Sequence, residues 1–233
     1  MAPDSGAWLH ALPNRNLGLA LGNNELRVAA GLRVGAPLVR CHTCVCGTEV
    51  DTLAHHGLSC KKSAGRQRRH AQANEVLVRA IRSAEVQAEL EPRRLSRDDG
   101  LRPDGATLDP WSRGRTLVWD FTCPDTLANS YLGQSASAAG SAATRAEDLK
   151  RSKYARLAQS GDIIFMPVAI ETLGVWGPSA AELCGELGAR IAAISGEPRS
   201  RQFLIQRLAL AIQRGNAAAV TGTHLFLDLT PPI

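Results

Sequence analysis

No uninterrupted apolar run in this chain approaches the roughly 20 residues that a bilayer-spanning helix needs, so no membrane partner is expected. The first residues, "MAPDSGAWLHALPNRN", lack a basic start followed by an apolar block. That absence argues against a secretory leader and for an intracellular protein. No internal repeat is present. Nor is the composition extreme. Hydrophobic residues at 44% and charged residues at 21% describe an ordinary globular chain. Its 233 residues allow one large domain or two small ones. The net charge of +5 permits a nucleic-acid partner without requiring one. With no leader, the six cysteines read as thiols or metal ligands rather than a disulfide framework.

Four of the six cysteines and three of the six histidines fall within residues 41–60, "CHTCVCGTEVDTLAHHGLSC". A structural zinc site takes four nitrogen or sulfur ligands in a tetrahedron, paired closely in sequence. Cys44 and Cys46 form one such pair, and His56 and Cys60 the other. Gly47 lets the chain turn back after the first pair. The spacing alone leaves Cys41 against Cys44 or Cys46, and His55 against His56, as open choices. Cys123 and Cys184 lie on apolar faces and read as core. A knuckle of this kind staples a small loop that has no core of its own. Directly after it, "KKSAGRQRRH" holds Lys61, Lys62, Arg66, Arg68 and Arg69. These five cations suit the phosphate backbone of DNA or RNA; the plain alternative is the solvated start of a helix.

Residues 101–125, "LRPDGATLDPWSRGRTLVWDFTCPD", place Asp104 after a proline and Asp120 inside a strand-like run. Alternation along "RTLVWDFTC" puts Leu117, Trp119, Phe121 and Cys123 on one face. Val118, Asp120 and Thr122 take the other. If residues 102–108 pair with this strand through a hairpin at "DPWSRG", Asp104 comes to lie beside Asp120. Two adjacent carboxylates repel each other unless a cation sits between them. Carboxylate-held divalent ions serve phosphodiester hydrolysis.

Elsewhere the periodicity predicts an amphipathic helix over 70–86, with Ala73, Leu77, Ala80, Ile81 and Ala84 on one face. A strand follows at 86–91. Residues 123–141 read as a small-residue loop, and 141–158 as a helix. Residues 162–173 read as a central strand, although Pro167 suggests a bulge or an edge. Two helices close the chain, the first opened by Pro178. The expected fold is α/β, a mixed central sheet flanked by helices and preceded by a small zinc knuckle. The expected units are a helical segment at 1–40, the knuckle at 41–62 and the sheet domain at 63–225.

Together these pieces resemble the C-terminal restriction-like endonuclease region of site-specific non-LTR retrotransposon reverse-transcriptase proteins. The resemblance rests on "SGAWLHALP", "LRVAAGLRVGAPL", "AHHGLSC", "RPDG", "VWDFTCPDT" and "KRSKYARL", and is strongest from Cys44 to Leu157. It implies a PD-(D/E)XK nuclease fold, a structural Zn²⁺, a catalytic Mg²⁺ or Mn²⁺, and nicking of target DNA. It also implies a nuclear site of action if this copy is active. No polymerase carboxylate motif is visible, so the resemblance implies an upstream reverse-transcriptase region missing from this chain, or an excised remnant. Carried over, Asp104 is the aspartate of the PD turn and Asp120 the second acid. The carbonyl of Phe121 joins them on the ion. The general pattern wants a lysine two residues after the second acid, where this sequence has Thr122. The retroelement group moves that lysine to the following helix. Lys153 is taken for the role, with Lys150 one turn earlier as the alternative. A rival class is a catalytically inactive zinc-containing module that binds nucleic acid, and a third is a docking piece.

Overall fold

A strand covered on both faces needs apolar side chains on both, and residues 117–121 supply them around Asp120. The structure, a computed structural model, describes residues 2–95 and 101–224. After a 3-10 turn at Ala7–His10 come α1 (Asn23–Val34), β1 (His42–Thr43), β2 (Glu49–Val50) and α2 (His55–Ser59). Next are α3 (Gly65–Ser83), β3 (Ala88–Leu90), β4 (Gly105–Thr107) and β5 (Thr116–Thr122). The chain continues through α4 (Asn129–Ser137), α5 (Ser141–Lys153), α6 (Ala155–Ala158), β6 (Ile163–Ala169), α7 (Pro178–Ser195) and α8 (Ser200–Thr221). The main sheet runs β3-β4-β5-β6, antiparallel except for the parallel pair β5 and β6. This is the expected mixed sheet with helices on its faces.

The period-2 reading of β5 describes its two sides. Leu117, Trp119 and Phe121 enter the large core shared with α3, α7 and α8. Val118 faces the other way and packs with Ala106, Tyr154, Leu157 and Ile163. Helix α3 buries Ala73, Leu77, Ala80 and Ile81 at helical spacing. Helix α7 starts on Pro178 and stops at Gly196, whose φ of 71° is the left-handed cap that glycine accepts without strain.

Three expectations change. The stretch read as a loop at 123–141 contains helix α4, which buries none of its residues and so lacked an apolar face to announce it. Among the described residues strand β6 lies at the sheet's edge rather than its centre. Proline explains the placement. The N–H of Ile170 points to Thr122 on β5, so by the two-residue period position 167 turns its nitrogen to the open edge.

The expected divisions at 41 and 63 also do not separate cores. Trp8 shares the large core with α7 and α8, while Val28 and Leu32 of α1 join Cys44, Leu58 and Val220 in a second cluster. Residue 225, the last of the expected sheet domain, lies outside the described residues.

Candidate active site and metal centre

Strands β1 and β2 form a tight hairpin whose turn carries Cys44, Cys46 and Gly47, the last at φ 90°. The Asp51 carboxylate accepts from the N–H groups of Leu53 and Ala54, at 3.1 and 3.0 Å, and so turns the chain into α2. His56 lies on α2 and Cys60 caps its end. The ligand atoms of Cys44, Cys46, His56 and Cys60 all fall within 4.8 Å of one another. Cys44 Sγ and Cys60 Sγ are 3.7 Å apart, and Cys46 Sγ and His56 Nε2 are 3.2 Å apart. A zinc–sulfur bond of about 2.3 Å makes the edge of a tetrahedron about 3.8 Å, close to these two spacings, so the set could hold zinc. Cys41 is exposed and, like His55, lies outside the group. Burial pushes the Cys44 thiol up to about 11. The hydroxyl and backbone N–H of Thr48 pull Cys46 down to about 6.

The second constellation lies on the sheet. Residues Gly105 and Trp119 are register partners, and Asp104 N–H donates to the Trp119 carbonyl at 3.1 Å. Asp104 and Asp120 therefore sit side by side on β4's leading end and β5. The Phe121 N–H donates to Asp104 Oδ2 at 2.6 Å. Within a strand a residue's N–H and C=O leave on the same side, so the Phe121 carbonyl also faces the Asp104 edge. His70 Nε2 of α3 reaches the same Oδ2 at 2.9 Å. That hydrogen bond raises the His70 pKa, against partial burial, and the Asp104 and Asp120 charges add to the rise.

Asp120 points towards α5, and Lys150 Nζ meets its Oδ1 as an ion pair. Lys153, the residue taken for this role, is exposed and instead lies 5.0 Å over the ring of Tyr154. Phase does not separate the two lysines, since both continue the inward stripe of Ala143, Ala146 and Glu147. Position along the helix does: Lys150 stands opposite Asp120, whereas Lys153, the last residue of α5, lies one turn beyond it.

Among the described residues, the cysteine–histidine group is the only set of three or more metal-binding side chains within ligand distance. Three further carboxylates are buried, Asp125, Glu147 and Glu171. Glu147 accepts from the N–H groups of Ser179 and Ala180 at the start of α7, and Glu171 accepts from Ala143 N–H at the start of α5. Both are held at helix N-termini, where an anion is favoured.

Of the basic stretch, Lys61, Lys62, Arg66 and Arg68 are exposed. Arg69 is not: it is 2% exposed and donates to the Leu58 carbonyl at 2.6 Å and to Asn216 Oδ1 at 3.1 Å. It binds α2, α3 and α8 together and is removed from the nucleic-acid set. Its position four residues before Ala73 put it on the inward face, a signal the charge run concealed.

No family model and no curated protein matches this chain. Among the described residues no helix is long and apolar enough to cross a membrane.

Proposed function

We propose that this chain is a metal-dependent DNA endonuclease of the PD-(D/E)XK type, the distal part of a non-LTR retrotransposon protein that nicks its target DNA in the nucleus. The observation that carries the reading is Lys150, delivered by α5, the second helix after β5, onto Asp120, beside Asp104. Thr122 holds the place where the general pattern puts its lysine, and Lys150 supplies the cation from α5 instead. The order α3, β3, β4, β5, α5, β6 suits that fold, with the acids at the central hairpin.

Asp104, Asp120 and the Phe121 carbonyl would hold a Mg²⁺ or Mn²⁺ ion, which lowers the pKa of a bound water and polarises a phosphoryl oxygen. The protein's own part is placement. Asp120 sits on a rigid strand rather than a loop, which fixes its oxygens. The Lys150 ammonium stands next to the attacked phosphate and stabilises charge that develops there. Lys61, Lys62, Arg66 and Arg68 contact the phosphate backbone. Zinc at Cys44, Cys46, His56 and Cys60 is structural in this reading.

The test is nicking of supercoiled plasmid with Mg²⁺ or Mn²⁺, with and without EDTA, for wild type and Asp120→Ala. Metal-dependent nicking absent from the variant supports the reading. Duplex binding without nicking at any metal concentration would make the chain a nucleic-acid-binding module whose acids are vestigial.

A further inference from the structure

His70 contacts Asp104 and has no part in the reading above. Its second ring nitrogen, Nδ1, faces Asn74 Nδ2 at 3.4 Å, one turn along α3. The other end of Asn74 decides what that contact means. Trp119 Nε1 lies 3.0 Å from Asn74 Oδ1. An indole nitrogen only donates, so the Asn74 oxygen faces Trp119 and the amino group faces His70. The amino group also only donates, so His70 Nδ1 accepts and the ring proton sits on Nε2. Nε2–H then donates to Asp104 Oδ2, the oxygen that already takes the Phe121 N–H. Two donors on Oδ2 leave Oδ1 as the oxygen Asp104 offers to a cation.

We propose that His70 is a positioning residue for the acid pair, locked by Trp119 and Asn74 in its Nε2–H tautomer and holding Asp104 with Oδ1 turned to the ion. Trp119 is 0% and Asn74 4% exposed, so the orienting end of the relay is fixed in the core. The His70 side chain is 46% exposed, so its tautomer would be free without that relay. The purpose of the lock rests on the endonuclease reading, but the lock itself does not.

Two measurements on the zinc-loaded full chain test it. The first is ¹⁵N NMR of histidine-labelled protein at a pH where the ring is neutral. A protonated Nε2 and a bare Nδ1 are expected, and a protonated Nδ1 overturns the proposal. Asn74→Asp keeps the acceptor for Trp119 and gives Nδ1 a second acceptor, so Nδ1 should gain a proton; if it stays bare, Asn74 is not the lock. The second is calorimetric titration with Mn²⁺. His70→Leu should weaken binding about tenfold or more, and His70→Gln, which keeps an N–H donor, should restore it to within about threefold. Equal affinity in wild type and His70→Leu overturns the positioning role and leaves the endonuclease reading standing. A wild type that shows the Nε2–H tautomer but binds no Mn²⁺ overturns the endonuclease reading, and the positioning role falls with it.

Discussion

Lys150 and Asp120 meet as an ion pair between α5 and β5, with the lysine side chain 23% and the aspartate 4% exposed. A carboxylate so enclosed depends on its partner, since an unpaired buried charge is strongly disfavoured. Lys150→Ala should therefore act twice. It should lower nicking by about 10²–10³-fold, the usual loss when one group that stabilises developing charge is removed. It should also lower stability by up to about 3 kcal/mol, because Asp120 is left without a countercharge. Lys153→Ala, on the exposed end of the helix, should change neither. Plasmid nicking and urea denaturation of both variants separate the two lysines, and equal losses would remove Lys150 from the site.

Purified protein should carry about one zinc per chain, as a single four-ligand site requires. Cys60→Ser should lose it, while Cys41→Ser and His55→Ala should keep it. Elemental analysis reads all four proteins. Retention of zinc by a Cys46→Ser, Cys60→Ser double variant would show that other ligands hold the metal.

Thiol titration gives an independent count. Burial pushes Cys123 up to about 11 and Cys184 up to about 12, so neither is a nucleophile near neutral pH. In the zinc-bound protein only the exposed Cys41 should react quickly with a disulfide reagent. A chelator should then release Cys44, Cys46 and Cys60. Denaturant should expose the remaining two of the six cysteines. Fast reaction of more than one thiol before chelation would contradict the ligand set.

The arginines of the basic stretch should behave in two ways. Arg66→Ala with Arg68→Ala should weaken binding similarly on all duplexes and flatten its salt dependence by about two slope units, if both touch phosphates. Arg69→Ala should instead unfold the protein at lower urea, by about 2–4 kcal/mol, because it strands the Leu58 carbonyl and Asn216. A salt titration and a urea curve on each protein check both halves. An Arg69→Ala protein of unchanged stability that binds DNA more weakly would return Arg69 to the surface set.

Gly105 is a tight place in the sheet. A Cβ there would overlap the six-membered ring of the Trp119 indole, which cannot swing away without giving up Asn74. Gly105→Ala should cost on the order of 3 kcal/mol, the upper range for overpacking a core. A methyl at Gly133 in α4 would meet nothing within 4 Å, so Gly133→Ala should stabilise by up to about 1 kcal/mol through helix propensity. Denaturant midpoints of the two variants should move in opposite directions.

How far the sequence could be read follows from how local each signal is. The alternation around Asp120 and the proline before Asp104 are properties of a few neighbouring residues, and the hairpin that joins them was legible. So was the cysteine–histidine group, because tetrahedral ligands must pair within a few residues. The choice between Lys150 and Lys153 was not, because it depends on how far along α5 the helix passes Asp120. Arg69 and Glu147 were hidden for a related reason. Each is a charged side chain whose partners, Asn216 and the start of α7, lie far along the chain. For His70 the sequence offered only a place on the helix nearest the acids, because its role comes from Asn74 and a tryptophan on another element.

Arg69 ties the knuckle's helix to α8, and Asn216 of α8 in turn donates to the Thr172 carbonyl just past β6 at 2.7 Å. The knuckle's hydrophobic side is completed by Ala217 and Val220 of that same last helix. The knuckle and the last helix are thus one mechanical part. A gene fragment cut at residue 63 would encode a sheet with a naked helix face and a buried arginine missing one acceptor. Shuffling, duplication or loss in evolution should accordingly move the cysteine–histidine loop and the acid-bearing sheet together, as a single heritable cassette.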